Sequence, residues 1–390
     1  MDLDAWLIDH GGELIAVRRD LHAHPELGRS EHRTTALLME RLLAAGLAPR
    51  RLGCGTGLVC DVGSGPPLVV LRADIDALPL PDSKDVPYRS TTDGVCHACG
   101  HDVHTACLLG AGLALAAGSG DGTVRLVFQP AEELMPGGGL DVVGEGLVAG
   151  ATAVFALHCD PTLEVGRLGV RSGPITAAAD AITIELSGPG GHTSRPQNTV
   201  DLVNALATVA VGLPAALSRR VDPRAGMSVV WGHVAAGAAA NAIPGEGILR
   251  GTLRVLDRAA WLLAPELVTE LVGQLVAPSG AAVRVDYRRG VPPVVNHVGA
   301  TALLAEAGAA ALGAGSVVPT LQSMGGEDFA WYVDEAPGAM ARLGVRPPGQ
   351  STPADLHQPQ FDADERAIAV GVRVLVAAAR LALEVPSTFL

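Results

Sequence analysis

The sequence predicts an α/β protein with a split domain, built on a mostly parallel central sheet, and a second domain inserted into it. Helix and strand patterns alternate between residues 3 and 158, which is typical of a layered domain with a largely parallel sheet. The pattern changes near Ile175, and the alternation returns after Val291. A chain of 390 residues also exceeds what one hydrophobic core usually accommodates, so two domains are expected.

The elements of the first part follow from the spacing of apolar residues. Helical spacing covers residues 3–21 and 31–47, and a further helix is expected after Gly100. Strands are predicted at residues 58–62, 67–76, 123–129 and 151–158. The second of these strands is almost entirely apolar before its acidic end, which indicates burial on both faces of a sheet.

The inserted part has its own order of elements. Strands are predicted at residues 179–187, 228–234, 247–256 and 282–287, and helices at 199–218 and 260–276. Along the chain this order is βαββαβ, which is the ferredoxin-like pattern. We therefore predict an inserted domain over residues 177–290 within a discontinuous domain made of residues 1–176 and 291–390.

Composition and charge exclude some classes of protein. The net charge is −13, with 28 basic and 41 acidic residues, whereas nucleic-acid binding needs a basic surface. The longest uncharged stretch, residues 225–245, contains several glycines and a proline and predicts strand and loop rather than a membrane span. Six cysteines without a regular framework, and an N-terminus without a signal-peptide pattern, predict a cytoplasmic protein without a membrane partner.

A short run, residues 97–104, combines one thiol with three imidazoles. With the donors that follow downstream, the candidate metal ligands are Cys99, His101, Glu132, Glu133, His158 and His357. Thiolate, imidazole and carboxylate groups are the ligands of zinc, manganese and similar ions, and this set is about enough for two. Cys99 could otherwise be a small buried hydrophobe, and His104 could bind, cap or pack.

Several of these residues follow predicted strands. Asp74 and Asp76 end one apolar strand, Glu132 and Glu133 follow the next, and His158 ends a third. Because ligands gather at the carboxyl ends of strands in open α/β sheets, these side chains are expected to converge. Each could alone be an ordinary turn or surface residue, but three such strand ends favour a site.

The remaining candidates have roles in catalysis or substrate binding. Because Glu132 and Glu133 are adjacent, one can bind a metal while the other acts as general base and then general acid. Asp102 is expected to orient a ligating imidazole.

The glycine-rich segment at residues 188–196 would present His192 to an oxyanion, unless it is simply a surface hairpin. Asn241 and Arg254 could hold a substrate carboxylate, with a surface salt bridge as the alternative for Arg254.

Taken together, the motifs resemble the metal-dependent aminoacylase and carboxypeptidase family. More narrowly, they resemble its branch of hippurate hydrolases, auxin–amino acid conjugate hydrolases and N-acyl-L-amino acid amidohydrolases. The matching segments occur in the family's order and span nearly the whole chain. They are residues 18–26, 72–79, 97–104, 128–133, 190–192, 241–244, 326–329 and 356–357.

The resemblance implies a zinc-peptidase-like catalytic domain with two divalent metal ions, and an inserted lid that also forms a homodimer. Mn²⁺ and Zn²⁺ suit the donors best, and Co²⁺ or Ni²⁺ would also fit. The implied metal ligands are Cys99, His101, Glu133, His158 and His357. The resemblance implies Glu132 as the catalytic acid and base. It implies orienting positions for Asp74 and Asp76, with Asp74 nearer the metals. It also implies that His192 polarises the scissile carbonyl in the partner subunit's site. Asn241 and Arg254 are implied substrate contacts.

The predicted activity is hydrolysis of the amide bond of a small N-acyl amino acid (acetyl, benzoyl or similar), with Glu132 acting on a water between the ions. A dipeptidase or a deacetylase of a biosynthetic intermediate is the alternative enzyme. A conjugate-binding protein without catalysis, and a structural metal site closed by Cys99, His101 and His104, are alternatives from other classes. The chain departs from the family's pattern at residues 134–136 and 193–197, which leaves the substrate open.

Overall fold

The computed structural model describes residues 1–118 and 120–385. The chain forms two compact units, described separately below. Unit 1 contains Met1–Ile175, Val295–Leu321 and the described residues from Asp328 onward, and unit 2 contains Thr176–Val294 and Gln322–Glu327. Thr176 and residues 291–294 and 322–327 therefore group with unit 2, whereas the sequence pattern predicts them in the discontinuous domain.

The helices and strands are numbered in chain order. The helices are α1 (Leu3–Ala23), α2 (His32–Ala44), α3 (His101–Ala116), α4 (Gly139–Gly144), α5 (Leu202–Arg220), α6 (Arg258–Val276), α7 (Val298–Leu312), α8 (Ala330–Glu335) and α9 (Arg366–Glu384). The strands of unit 1 are β1 (Arg50–Arg51), β2 (Leu58–Ser64), β3 (Leu68–Asp74), β4 (Gly122–Gln129), β5 (Ala153–Glu164), β6 (Leu168–Val170), β7 (Gly173–Pro174), β14 (Val295–Asn296), β15 (Val317–Pro319) and β16 (Gly338–Arg346). The strands of unit 2 are β8 (Ala178–Ser187), β9 (Gly191–His192), β10 (Ser228–Ala236), β11 (Ala242–Ile243), β12 (Glu246–Val255) and β13 (Ala282–Val291).

The large sheet of unit 1 has the order β1-β2-β4-β3-β5-β16-β6-β15. Its central pairs β4–β3, β3–β5 and β5–β16 are parallel, whereas β1, β2 and β6 bring in antiparallel pairs. Burial covers β3 almost throughout, as the apolar run predicts. The mostly parallel central sheet of the sequence analysis is thus present.

Helices α1, α3, α7 and α9 pack with one another in the core of unit 1, and α3 and α9 also contact the central strands. Gly110 in α3 allows this close packing. A Cβ atom there would lie 2.6 Å from side-chain atoms of both Leu14 in α1 and Val372 in α9. The absence of a side chain lets three helices meet at one level.

The register of the central strands brings their carboxyl ends to one edge of the sheet. Asp74, the last residue of β3, pairs with Gln129, the last residue of β4. On the other side of β3, Arg72 pairs with Ala156 of β5, so His158 lies level with Asp74. The residues that follow β3 and β4 and those at this level of β5 therefore start from neighbouring positions.

Unit 2 contains the predicted βαββαβ order as β8, α5, β10, β12, α6 and β13. Its antiparallel sheet has the order β10-β12-β8-β13, and α5 and α6 pack against each other and against its strands. A short ladder of β9 and β11 is added to this pattern.

Two helices of unit 2 are long and apolar enough to cross a membrane by length and composition alone. They are α5 and the segment Arg258–Ser279, which includes α6. Each buries an apolar face within unit 2, as the core helix of a globular domain does, so this finding is weak evidence for a membrane span.

Candidate metal centre

The five predicted metal ligands form two groups that share Cys99. One group joins Cys99 with His101 and His158, and the other joins Cys99 with Glu133 and His357. Within each group, the donor atoms lie within 4.8 Å of one another. A thiolate that belongs to both groups is suited to hold two ions side by side, because sulfur is a ligand of zinc and related ions.

Backbone geometry brings these donors together. Gly100 precedes α3 with a positive φ of 86°, and a Cβ atom at this position would lie 2.7 Å from Cys159 Sγ. Only glycine fits this turn, which separates Cys99 from His101 and turns both toward the sheet. His357 also has a positive φ, of 62°, and its N–H donates to the Ala98 carbonyl at 2.8 Å. The C-terminal part of unit 1 is thereby attached to the residue before Cys99.

Hydrogen bonds set the imidazoles for ligation. His158 Nδ1 lies 2.8 Å from the Cys159 carbonyl, and His101 Nδ1 lies 2.9 Å from the Asp76 carbonyl. Since a carbonyl only accepts, each Nδ1 carries the proton and each Nε2 has its lone pair available. His158 Nε2 lies 3.6 Å from Cys99 Sγ.

Two ligand atoms of these donor groups are buried and have no hydrogen-bond partner among the described residues. They are His101 Nε2 and Glu133 Oε1. The two atoms lie 3.9 Å apart, and Glu133 Oε1 is also 3.4 Å from His357 Nε2. Buried polar atoms are nearly always satisfied, so a cation between these donors accounts for both.

The electrostatics of the donors agree with a cation site. Burial lowers the pKa of His158, so that its imidazole is neutral, and burial raises the pKa of the Cys99 thiol. Contacts with Cys99 and Glu133 raise the pKa of His357 to about 10. Without a cation, protons therefore compensate the negative charge of this cluster.

Glu132 lies beside the ligands. Its Oε2 is 3.9 Å from His101 Nε2, and its side chain is 8% exposed. Together with His101 and Glu133 it forms a further group of possible donors, so this carboxylate borders the same space as the two groups that share Cys99.

His104 is not placed to bind a metal. The backbone N–H of Cys159 donates to His104 Nε2 at 2.8 Å, which leaves Nδ1 to donate to Asp74 Oδ1 at 2.6 Å. Both ring nitrogens are used, so the closed site of Cys99, His101 and His104 considered in the sequence analysis does not fit this geometry. His104 instead connects β3 to β5.

The expectation for Asp102 is wrong. Its Oδ2 accepts hydrogen bonds from Arg18 Nε and His22 Nδ1, both at 2.7 Å, rather than from a ligating imidazole. The residue that holds the ligand His101 is Asp76, through its backbone carbonyl. A carboxylate next to a histidine in sequence therefore did not predict the partner of that histidine.

Asp74 and Asp76 are both buried and both hold other residues. Asp74 accepts from His104 through Oδ1 and from Arg72 through Oδ2, and Oδ2 is 3.8 Å from His101 Nε2. Asp76 Oδ2 accepts from the backbone N–H of Glu133 at 3.0 Å. These contacts agree with an orienting function for each aspartate.

His192, Asn241 and Arg254 lie in unit 2. His192 is exposed in β9, where it pairs with Ala242, the neighbour of Asn241. Arg254 lies near the far end of β12, eight positions beyond Glu246, which is about 26 Å at 3.3 Å per residue. Within one chain, the structure therefore does not bring Asn241 and Arg254 together on a single carboxylate.

A buried ion-pair network behind the centre was missed by the sequence analysis. Arg72 donates to Asp74 Oδ2 at 2.6 Å, to Asp328 Oδ1 at 2.7 Å and to Gln129 Oε1 at 3.0 Å. The available signal was an arginine inside a strand that the pattern predicts to be buried on both faces, because such a charge needs a carboxylate partner.

The second missed network surrounds Asp102. Arg18 also pairs with Asp362, and His22 Nε2 lies 3.2 Å from Asp82 Oδ2. Arg18 and His22 belong to the first matching segment, but the apolar spacing of α1 gives no sign that these polar residues are buried.

Comparison with known proteins gives a consistent family. The model of peptidase family M20/M25/M40 matches residues 70–381. An N-acetyl-L-cysteine deacetylase of Bacillus subtilis (strain 168) is 35% identical over 360 residues, which cover 91% of this chain and 85% of that protein. A crystal structure of a dinuclear metal-binding M20 peptidase from Bacillus subtilis has a TM-score of 0.83 at 31% identity, with 96% of this chain and 98% of that chain covered.

A more similar sequence comes from Rhodococcus jostii (strain RHA1). It carries the provisional name glutamate–cysteine ligase 2-3 and is 49% identical over 370 residues. These residues are 95% of this chain but only 46% of that protein, so the chain spans about half of its length.

Proposed function

The chain belongs to peptidase family M20/M25/M40 and is a metal-dependent amidohydrolase, and from this premise we propose that it cleaves N-acyl amino acids to a carboxylate and a free amino acid. The observation that carries the proposal is the pair of donor groups that share Cys99, with the Glu132 carboxylate beside them. The substrates we propose are small N-acetyl, N-benzoyl or similar conjugates.

The five residues in the two donor groups would hold the ions, and Mn²⁺ or Zn²⁺ fits a set of thiolate, imidazole and carboxylate ligands. When bound, the ion pair supplies a water of lowered pKa and a Lewis acid for the scissile carbonyl. Glu132 takes the proton from the attacking water as the C–O bond forms, and later returns it to the nitrogen of the leaving amine as the C–N bond breaks.

His192 is suited to polarise the carbonyl. The backbone N–H of Ser194 donates to His192 Nδ1 at 3.1 Å, so the neutral ring carries its proton on Nε2. That Nε2–H can donate to an oxyanion as charge develops on it. We propose that it does so in the site of a partner subunit.

A deacetylase of N-acetylated amino acids is the more specific candidate. It is favoured by the deacetylase from Bacillus subtilis, which matches the chain over most of both lengths. A dipeptidase would use the same ligands and the same Glu132, and a protein that only binds conjugates would not need a carboxylate at this position.

The test is release of free amine from a panel of N-acetyl, N-benzoyl and indoleacetyl amino acids and of dipeptides, with and without added Mn²⁺ or Zn²⁺. We expect metal-dependent release from at least one N-acyl series. Release from dipeptides alone would assign the chain to the alternative enzyme, and no release from any substrate by metal-loaded protein would refute the proposal.

We also propose that the chain forms a homodimer through unit 2. Strand β10 is the first strand in the order β10-β12-β8-β13, and it exposes the apolar side chains of Val230 and Val234. An edge strand with exposed apolar residues is suited to pair with another copy of itself. Six free cysteines fit the cytoplasmic location that we propose for this dimer.

A further inference from the structure

Three carboxylates accept hydrogen bonds from the backbone of the segment that carries Glu132 and Glu133. We name residues 130–139 the glutamate loop. The N–H of Ala131 donates to Glu31 Oε1 at 2.7 Å, that of Glu133 to Asp76 Oδ2 at 3.0 Å, and that of Gly139 to Asp328 Oδ2 at 2.8 Å. The three acceptors come from three separate parts of unit 1.

Glu31 is the least expected of the three acceptors. It is the residue before α2, where a polar side chain normally caps its own helix. The Glu31 side chain makes no such bond and instead reaches Ala131, a hundred positions along the chain. Its side chain is buried, and burial raises its pKa. A buried carboxyl that does not cap its helix needs another reason to be present.

The contact with Ala131 supplies that reason. Ala131 has a positive φ of 57°, a conformation that costs a residue with a Cβ atom about 1–2 kcal/mol. Its N–H is held by Glu31, and its carbonyl accepts from the N–H of Gly138 at 3.1 Å. Since Glu132 follows directly, the turn at Ala131 sets the direction in which the Glu132 side chain leaves the backbone.

We propose that Glu31 is a positioning residue for Glu132, acting through its hydrogen bond to the backbone of Ala131. The proposal rests on the function proposed for Glu132 above. Because a displacement of about 1 Å can cost a catalytic group about 100-fold in rate, the length of the Glu31 side chain matters as well as its chemistry.

The test compares three variants of Glu31. E31Q keeps an oxygen acceptor at the same reach, E31D withdraws it by one methylene, and E31A removes it. We expect E31Q to keep kcat within about threefold of the wild type. We expect E31D and E31A to lose about 10- to 100-fold in kcat, with KM changed less than about threefold and two bound metal ions retained.

Hydrogen exchange of the Ala131 amide gives a second readout that does not depend on turnover. Exchange should accelerate in E31D and E31A and stay slow in E31Q. The matched control is E26D, because the Glu26 carboxylate accepts its backbone N–H groups from Arg33 and Thr34 at the start of α2, whereas Glu31 accepts one from Ala131. That variant should lower the melting temperature but leave kcat and the exchange of Ala131 unchanged.

The outcomes are distinct. Equal kcat and equal Ala131 exchange in E31D and the wild type would overturn the proposal, as would loss of metal and activity in E31Q as well as E31A. If E31A fails to fold, E31D and E31Q still show whether the length of the side chain at position 31 matters or only the presence of an oxygen acceptor. If the wild type hydrolyses no N-acyl amino acid, the proposed function fails, while the exchange data still decide whether Glu31 holds the loop.

Discussion

Cys99 determines how the candidate metal centre responds to protons, because it belongs to both donor groups and is buried. Burial keeps its thiol protonated in the absence of a cation, and the pKa of His357 is raised to about 10 by Cys99 and Glu133. Metal ligands bind as thiolate and as neutral imidazole, so an ion that enters the site displaces these protons.

Metal binding should therefore release at least one proton at pH 7. Because the pKa of His357 is raised, its proton is present below pH 10, and metal affinity should rise as the pH increases toward that value and fall in acid. The measurement is calorimetric titration with Zn²⁺ in buffers of different ionisation enthalpy. His357→Ala should release about one proton fewer, and a heat that is independent of the buffer would contradict the prediction.

Replacement of Glu132 tests the assignment of the general base. Glu132→Gln removes the basic carboxylate with little change in shape, so we expect kcat to fall about 100- to 10,000-fold. KM and the content of two metal ions should change little, because a base acts mainly in the transition state. Metal analysis and initial rates on the best N-acyl substrate check this. Turnover near the wild-type value with both metals bound would show that another group is the base.

At the scale of elements, the ends of β3 and β4 are held together by the buried network of Arg72. The guanidinium of Arg72 donates to Asp74, the last residue of β3, to Gln129, the last residue of β4, and to Asp328, which precedes α8. Burial alone would raise the pKa of Asp74. The neighbouring Arg72, His101 and His104 outweigh this effect and hold that pKa well below its usual range. The network thus fixes Asp74, and with it His104, behind the ligands.

Removal of Arg72 should be costly for stability. Arg72→Met removes the buried cation that pairs with Asp74 and Asp328, and loss of one partner of a buried ion pair costs about 3–5 kcal/mol. Arg125→Met is the matched control, because the Arg125–Asp61 pair lies in the same sheet but is partly exposed, and such pairs contribute about 0–1 kcal/mol. Urea denaturation of the metal-free proteins measures both, and equal losses would contradict the structural assignment.

The local elements were predictable because their signals are local. Apolar spacing predicted the strands that end at Asp74 and Gln129, and donor residues after those strands predicted where ligands meet. The partners of Asp102 and Glu31 were not predictable in this way. Their contacts join residues 80 or more positions apart, and the choice between capping a helix and reaching another loop is made by tertiary packing.

Unit 2 shows the same limit at a larger scale. The order βαββαβ could be predicted from periodicity. The distance between Asn241 and Arg254 instead depends on the end of β12 at which each residue lies. Their separation of thirteen positions in sequence suggested convergence, but an extended strand places them far apart. Each can still contact a small substrate, but the two would then do so in the sites of different subunits.

At the scale of the whole molecule, the proposed dimer depends on the edge of unit 2. A second copy can continue the ladder at β10 about a two-fold axis, which buries Val230 and Val234 and pairs the free edge of the strand. A lysine on an edge strand opposes such pairing, because its charge would have to be buried or would repel the lysine of the second copy.

Val234→Lys should therefore give a monomer, whereas the wild type should have twice the chain mass of 39.7 kDa. Light scattering after size-exclusion chromatography measures both masses. Ile8→Lys is the control, since Ile8 in α1 of unit 1 is also exposed and apolar but lies on no strand. A Val234→Lys variant that remains dimeric would place the interface elsewhere. A wild type that is monomeric at micromolar concentration would refute the dimer, and His192 would then have to act within its own subunit.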